Sequence, residues 1–181
     1  MIDRVDRPVE QLIDEILVMD CQSGSVKALE TLVARWQKRL WKYAYRLTGN
    51  SEAAWDITQE SWLGIIKGLR RLHDPARFRS WAYRIVTHKA SDWIRKNRAS
   101  KHIRLDDVQD HHEVRESKDV GIKELLEKLD MRKRSVLSLY HFEQLSIQEI
   151  GVALKIPKGT VKSRLHSARK ELKTLWQQHL E

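Results

Sequence analysis

The segment "SIQEIGVALKIPKGTVKSRLHSARKEL", Ser146 to Leu172, decides how the C-terminal third folds and sets the reading of the rest. Ser146 with Glu149 three residues on is a capping-box pattern, so a helix starts there and runs to about Leu154. Lys155-Ile156-Pro157 is a break, and Pro157 suits the entry to a second helix. Beyond it Val161, Leu165, Ala168, Leu172 and Leu175 recur at three- and four-residue spacing, a single apolar face. The opposite face presents Gly159, Lys162, Ser163, His166, Ser167 and Lys170, flanked by Arg164 and Arg169. A short helix, a tight turn and a basic second helix make a helix-turn-helix, whose exposed side suits phosphates and base edges in a major groove roughly 12 Å wide. The bland alternative is an amphipathic helical hairpin whose basic face is only solvated.

Working outward, the same periodicity recurs upstream. From Val26 to Leu47 the apolar residues Leu29, Leu32, Val33, Trp36, Leu40, Tyr43, Ala44 and Leu47 mark one helix face. Gly49-Asn50-Ser51 interrupts and offers an N-cap, after which "EAAWDITQESWLGIIKGLRRL" is helical to Leu72. His73-Asp74-Pro75 stops that helix, and another is expected from about Phe78 to Arg98. No sustained alternation of period two occurs, so the fold class is all-α.

Charge divides the chain. It carries 34 Lys and Arg against 25 Asp and Glu, a net +9, which favours a polyanionic partner over an acidic small molecule. Residues 67–104 are strongly basic, whereas "LDDVQDHHEVRESKD", 105–119, is acidic and weakly apolar and reads as part of a linker. The expected layout is therefore a helical domain over 1–99, a linker over 100–118 and a helix-turn-helix domain over 119–181. Cys21 is the sole cysteine, which excludes an intrachain disulfide and a Cys-based zinc site and suits a reducing compartment. The acidic N-terminus is unlike a signal peptide, and no apolar run approaches the roughly 20 residues of a membrane span. A cytoplasmic protein with no membrane insertion and no cofactor is expected. His111-His112 with Asp106, Asp107 and Asp110 lack the rigid spacing of a metal site, and no hydrolase or phosphate-loop motif is present.

Two segments together resemble the sigma-70 family of bacterial RNA polymerase sigma factors, specifically its small extracytoplasmic-function (ECF) branch. "LSIQEIGVALKIPKGTVKSRLHSARKEL" resembles the reader of the upstream (−35) promoter element, with Gly159 to Arg164 opening its recognition helix. "YRLTGNSEAAWDITQESWLGI" resembles the polymerase-docking helix, and "RFRSWAYRIVTHKASDWIRK" the helix that binds the downstream (−10) element. The resemblance implies a protein that joins core RNA polymerase, directs it to promoter DNA, helps melt the duplex there and answers to an anti-sigma factor.

Carried over by position, Asp56, Gln59, Glu60, Trp62 and Leu63 would meet the polymerase, although Trp62 also has a core reading. Arg71, His73, Arg77, Phe78, Arg79, Trp81, Arg84, His88, Lys89, Arg95 and Lys96 would form the −10 surface, with the loop from His73 to Phe78 as pocket for an unstacked base. Trp81 and Trp93 compete as core residues. Lys158, Gly159, Thr160, Lys162, Ser163, Arg164, His166, Ser167 and Lys170 would contact the −35 element. Residues 100–118 reach roughly 60 Å extended, matching the roughly 58 Å of a 17-base-pair spacer.

Five positions depart from the family pattern. Ala53, Ala54 and Trp55 stand where the docking helix usually carries acids, and a hydroxyl at Ser51, Thr58 or Ser61 is a candidate for supplying charge by phosphorylation. His88 replaces a common asparagine, and Lys155 a usual turn glycine. The rival reading is an operator-binding regulator that uses the helix-turn-helix alone, yet such a protein gains nothing from the basic 67–104 segment.

Overall fold

The computed structural model describes residues 9–103 and 120–180, all ordered as helices and short turns with no strand among them. The first module contains α1 (Val9–Gln22), α2 (Val26–Thr48), α3 (Ser51–Leu69), a 3₁₀ turn (Pro75–Arg77) and α4 (Phe78–Ile103). The second contains α5 (Val120–Lys128), α6 (Met131–Leu137), a π turn (Ser138–Phe142), α7 (Ile147–Leu154) and α8 (Lys158–Leu180). None of these helices is long and apolar enough to cross a membrane.

Local chemistry sets the helix ends. Ser25 caps α2 by accepting from the Ala28 N–H, and left-handed Gly49 (φ 70°) closes it by donating its N–H to the Tyr45 carbonyl. Asn50 then caps α3 through the Ala53 N–H. The break between the two long helices is thus written in three consecutive residues. α3 stops at Leu69 rather than Leu72, because Arg71 and Leu72 turn back onto the Gly68 and Leu69 carbonyls. α4 runs on to Ile103, into the stretch expected to be linker. His111, His112 and their acidic neighbours lie outside the described residues.

The first core is aromatic. Trp36 of α2 is fully buried and meets Phe78 and Tyr83 of α4 edge-on at 5.2 and 5.7 Å, while Tyr43 meets Tyr83 at 5.1 Å. Leu32, Leu40 and Leu47 of α2, Ile57, Trp62 and Ile65 of α3, and Ala82 and Val86 of α4 fill the space between. Such edge-on pairs add about 0.5–1.5 kcal/mol each beyond burial. Gly68 has a packing reason: a Cβ there would lie 2.7 Å from the Trp81 ring, so glycine lets that indole lie across α3.

Helix α1 went unread in the sequence. It is pinned to α2 by Asp14, 2% exposed and 3.0 Å from the Arg35 guanidinium, and by Val18.

In the second module the expected capping box is present, Ser146 Oγ accepting from the Glu149 N–H and the Glu149 carboxylate accepting from the Ser146 N–H. Of the five apolar positions of α8, Val161, Leu165 and Ala168 are buried, and Leu172 and Leu175 are half-buried against the same core. Lys155 takes the left-handed conformation (φ 52°) that a turn glycine would adopt, and the Ile156 N–H reaches back to the Gly151 carbonyl. Gly151 accommodates that return, since a Cβ would stand 3.0 Å from the Ile156 carbonyl oxygen.

The modules pack directly on each other, α7 against α4. At the junction the Glu143 carboxylate, 9% exposed, accepts from Arg46 Nη1 at 2.6 Å and from the Tyr83 hydroxyl. Arg79 Nη2 donates to the Glu143 carbonyl at 2.6 Å, and Arg134 Nη1 to the Leu47 carbonyl at 2.8 Å. Burial and the neighbouring Glu143 carboxylate, which the hydroxyl meets by a hydrogen bond, push the Tyr83 phenol well above its ordinary value.

Candidate functional site

Three surfaces carry the residues singled out in the sequence. On α3, Asp56, Gln59 and Glu60 are exposed and Leu63 is 59% exposed, all on one side. Trp62 is not with them. At 6% exposure it belongs to the core, one step of about 100° around the helix from Leu63, which corrects its expected surface role. The phosphorylation candidates narrow likewise, because Thr58 and Ser61 are fully buried and donate to the Ala54 and Ile57 carbonyls at 2.6 Å. Only Ser51 of the three retains exposure.

The second surface runs from the α3–α4 loop along α4. Arg71, His73, Arg77, His88, Arg95 and Lys96 are exposed, and Arg84 and Lys89 are half-buried. Asp74 organises the loop, accepting from the Ala76 N–H and lying 3.3 Å from Arg77. Gln22 holds it from the other side, its amide donating to the Leu69 and Leu72 carbonyls at 3.0 and 2.7 Å. No sequence pattern points to Gln22, which lies about 50 residues away from the loop it holds.

Phe78 is 1% exposed beneath Trp36 and so forms the floor of the core rather than a DNA contact, a second correction. Trp81 is half-buried across Gly68, in line with its packing reading. Asp92 meets two side chains at once, His88 Nδ1 at 3.2 Å and Arg95 Nη2 at 2.9 Å. Lys89 Nζ lies 2.8 Å from Glu60, so the α3 and α4 surfaces meet at an ion pair. Arg79 faces the second module through Glu143, which makes it a junction residue here and not part of the outward cationic surface.

The third surface is the outer side of α8. Lys158, Gly159, Lys162, Ser163, His166, Ser167 and Lys170 are exposed; Thr160 and Arg164 are half-buried. A Cβ on Gly159 would meet nothing within 4 Å, so no packing within the chain calls for glycine there. Lys158 is steadied by Gln148 of α7 at 3.1 Å, and Ser163 Oγ donates to the Thr160 carbonyl. The remaining side chains stand clear over more than three turns. Arg169 is turned aside, stacked over the Tyr140 ring and 3.3 Å from His141 Nε2, and burial plus the Arg169 charge hold the His141 imidazole below its usual value.

Beyond these, an apolar cleft of about 570 Å³ opens between α5, α6 and α8, lined by Leu125, Leu126, Leu137, Phe142, Leu172 and Trp176. Sequence periodicity did not reveal it, because of these residues it marks only Leu172, and marks it as core.

A helix-turn-helix with a basic outer face, joined to a helical module whose last helix is also basic, defines a two-module all-α DNA-binding protein. Two models of one family match it in order: Sigma-70 region 2 over residues 32–100 and Sigma-70, region 4 over residues 125–174. The chain belongs to the sigma-70 family, in its extracytoplasmic-function branch. It is 29% identical over 168 residues to ECF RNA polymerase sigma factor SigE of Mycolicibacterium smegmatis, covering 86% of this chain and 64% of that longer relative. It is 27% identical over 173 residues to ECF RNA polymerase sigma factor SigW of Bacillus subtilis, covering 86% of this chain and 92% of that one.

Among solved structures, CnrH in complex with the cytosolic domain of CnrY superimposes with a TM-score of 0.72 at 26% identity, covering 91% of this chain and 97% of that chain. The sigma factor RpoE, solved with the anti-sigma factor NepR from Bartonella quintana, also gives 0.72, at 20% identity and with 84% and 98% covered; that likeness speaks for the fold alone. None of these matches favours the operator-binding reading.

Proposed function

We propose that this sigma factor binds core RNA polymerase through the outer side of α3 and carries it to promoters that it reads with two separate surfaces. Asp56, Gln59, Glu60 and Leu63 meet the polymerase. Arg71, His73, Arg77, Arg84, His88, Lys89, Arg95 and Lys96 hold the −10 element, the loop before α4 receiving a base as the duplex opens. The exposed residues of α8 from Lys158 to Lys170 enter the major groove of the −35 element, where Lys and Arg neutralise phosphates and short hydroxyls reach base edges.

The observation that carries this reading is the pairing, in one chain, of the α8 surface with the cationic α4 surface. An operator-binding protein needs only the first. On this reading residues 1–99 form the polymerase and −10 domain, 100–118 the linker and 119–181 the −35 domain. The protein acts in the cytoplasm, holds no catalytic group of its own, and answers to an anti-sigma protein; the solved complex of CnrH with the cytosolic domain of CnrY supports reserving surface for such a partner.

Run-off transcription of fragmented genomic DNA by core polymerase, with and without this protein, tests the proposal. Discrete new starts sharing two upstream elements are expected. Tight duplex binding without any new start would overturn it.

A further inference from the structure

The outward side of α3 is more apolar than its acids suggest. Trp55 is 45% exposed, Leu63 59% and Ile66 45%, interleaved with exposed Glu52, Asp56, Gln59 and Glu60. Trp55 and Ile66 are eleven residues apart, three turns of helix, so they lie on nearly one line about 16 Å apart along the axis. Leu63 sits between them, towards one edge. The result is a seam rather than scattered apolar residues.

Trp55 is also braced. Its ring lies 5.7 Å from that of Trp41 on α2, tilted by 40°, and Trp41 stacks on Tyr45 at 5.3 Å with the planes 4° apart. At the other end, Ile66 shares a small hollow with Val26 and Leu29 of α2. Of the three positions that depart from the acidic family pattern, Ala53 and Ala54 are buried, at 4% and 0% exposure. Trp55 alone faces outward.

We propose that Trp55, braced by Trp41 and Tyr45, is an aromatic anchor for core RNA polymerase that takes the place of the acid usual at this position of the docking helix, with Ile66 as a second anchor at the far end of the seam. The inference rests on the polymerase-binding reading above and adds to it which contacts hold the complex. The occupant follows from continuity: the seam shares its helix face with Asp56, Gln59 and Leu63. Glu52, Asp56 and Glu60 along it repel nucleic acid and suit a protein surface with basic groups beside an apolar strip. A tryptophan whose rotamer is already restricted by a neighbouring ring loses little entropy on docking, and tryptophan anchors of this kind carry a large share of interface energy. Docking held this way depends only weakly on salt, because apolar contacts are not screened.

The test is the affinity of the full chain for core RNA polymerase at about 50 and about 300 mM salt. Trp55→Ala should weaken binding about ten-fold or more and Trp55→Phe only about three-fold, with similar ratios at both salts. Trp55→Glu, which restores the acid usual in the family, should lose as much as alanine. Ile66→Ala, far from the Trp41 stack, is the independent variant and should cost about three-fold or more. Thermal melts of all four should match the wild type within a few degrees. Unchanged affinity in Trp55→Ala, or tighter binding in Trp55→Glu, overturns the anchor while leaving the polymerase reading intact; a wild-type chain that fails to bind core polymerase overturns both.

Discussion

Arg46 Nη1 donates to the Glu143 carboxylate at 2.6 Å across 97 residues of sequence, with the two side chains 20% and 7% exposed. The pair fastens α2 of the first module to the turn that leads into the helix-turn-helix, and Tyr83 and Arg79 close around the same residue. With the modules fastened this way, α7 lies against α4, the helix proposed to hold the −10 element. Reading two elements roughly 58 Å apart requires the modules to part. Glu143→Ala leaves the Arg46 guanidinium without its anion and the Tyr83 hydroxyl without its acceptor, while the Arg79 bond to the backbone carbonyl of residue 143 can remain. It should weaken the junction by about 2–3 kcal/mol, somewhat less than a fully buried pair because Arg46 keeps some solvent. Small-angle scattering should then show the radius of gyration rising by about 3 Å or more from the roughly 16 Å of a compact chain of this length. An unchanged radius would show that apolar packing alone holds the modules together.

The neighbours Trp62 and Leu63 should separate stability from binding. Trp62→Ala opens a cavity under α3 and should cost about 3–5 kcal/mol in urea unfolding. Leu63→Ala removes an exposed side chain, so unfolding should shift by no more than about 0.5 kcal/mol while affinity for core polymerase falls. A stable Trp62→Ala protein with impaired polymerase binding would return Trp62 to the surface.

That pair also marks where the sequence was legible. The strict apolar spacing of α2, the Asn50 cap and the Ser146–Glu149 capping box are local signals, and each appears in the fold as read. α3 was harder, because its outward side carries Trp55, Leu63 and Ile66 and no single apolar stripe stands out; only the packing of α2 and α4 decides that Trp62 turns in. Helix α1 was invisible for the same reason, with Val9, Leu12, Ile16 and Met19 all exposed and blurring its inward face. Glu143 carries no local signal. Its role depends on partners 60 and 97 residues distant, which periodicity cannot report.

The buried hydroxyls of α3 exclude two routes of activation. Thr58→Asp or Ser61→Asp would bury a carboxylate without a cation, so thermal melts should show severe loss of stability, on the order of several kcal/mol, in place of improved polymerase binding. Ser61→Ala should fold and bind nearly as the wild type, since its hydroxyl bonds only the carbonyl one turn back. Tighter core binding by Thr58→Asp would contradict the placement of α3.

Alkali should loosen the core through its tyrosines. Burial raises the phenols of Tyr43 and Tyr83, and the Glu143 charge raises Tyr83 further, whereas in the unfolded chain both ionise near pH 10. A folded-state value above the unfolded one means stability is complete below pH 10 and falls as pH rises from there towards the folded value, by up to about 1.4 kcal/mol per pH unit for each tyrosine. Tyr83→Phe should therefore start less stable at pH 8, having lost its bond to Glu143, but decline about half as steeply above pH 10 in urea melts. An equal slope would mean that Tyr83 is not shielded.

On α8, phosphate and base contacts can be told apart by salt. Lys162 is fully on the outward side and Arg164 is half-buried at its flank, so alanine at Lys162 should leave urea unfolding within about 0.5 kcal/mol of wild type. If Lys162 neutralises one phosphate, binding of its alanine variant to any −35 sequence weakens alike, and the slope of log affinity against log salt falls by about 0.9. If it reaches a base edge, the salt slope changes less and preference at one base pair relaxes by about 1–3 kcal/mol. Its flexible stem and position one turn after the start of α8, where the helix N-terminus approaches the backbone, favour the phosphate outcome. Competition among single-base variants of a −35 duplex at two salt concentrations distinguishes the two, and a variant unchanged in both respects would remove Lys162 from the promoter surface.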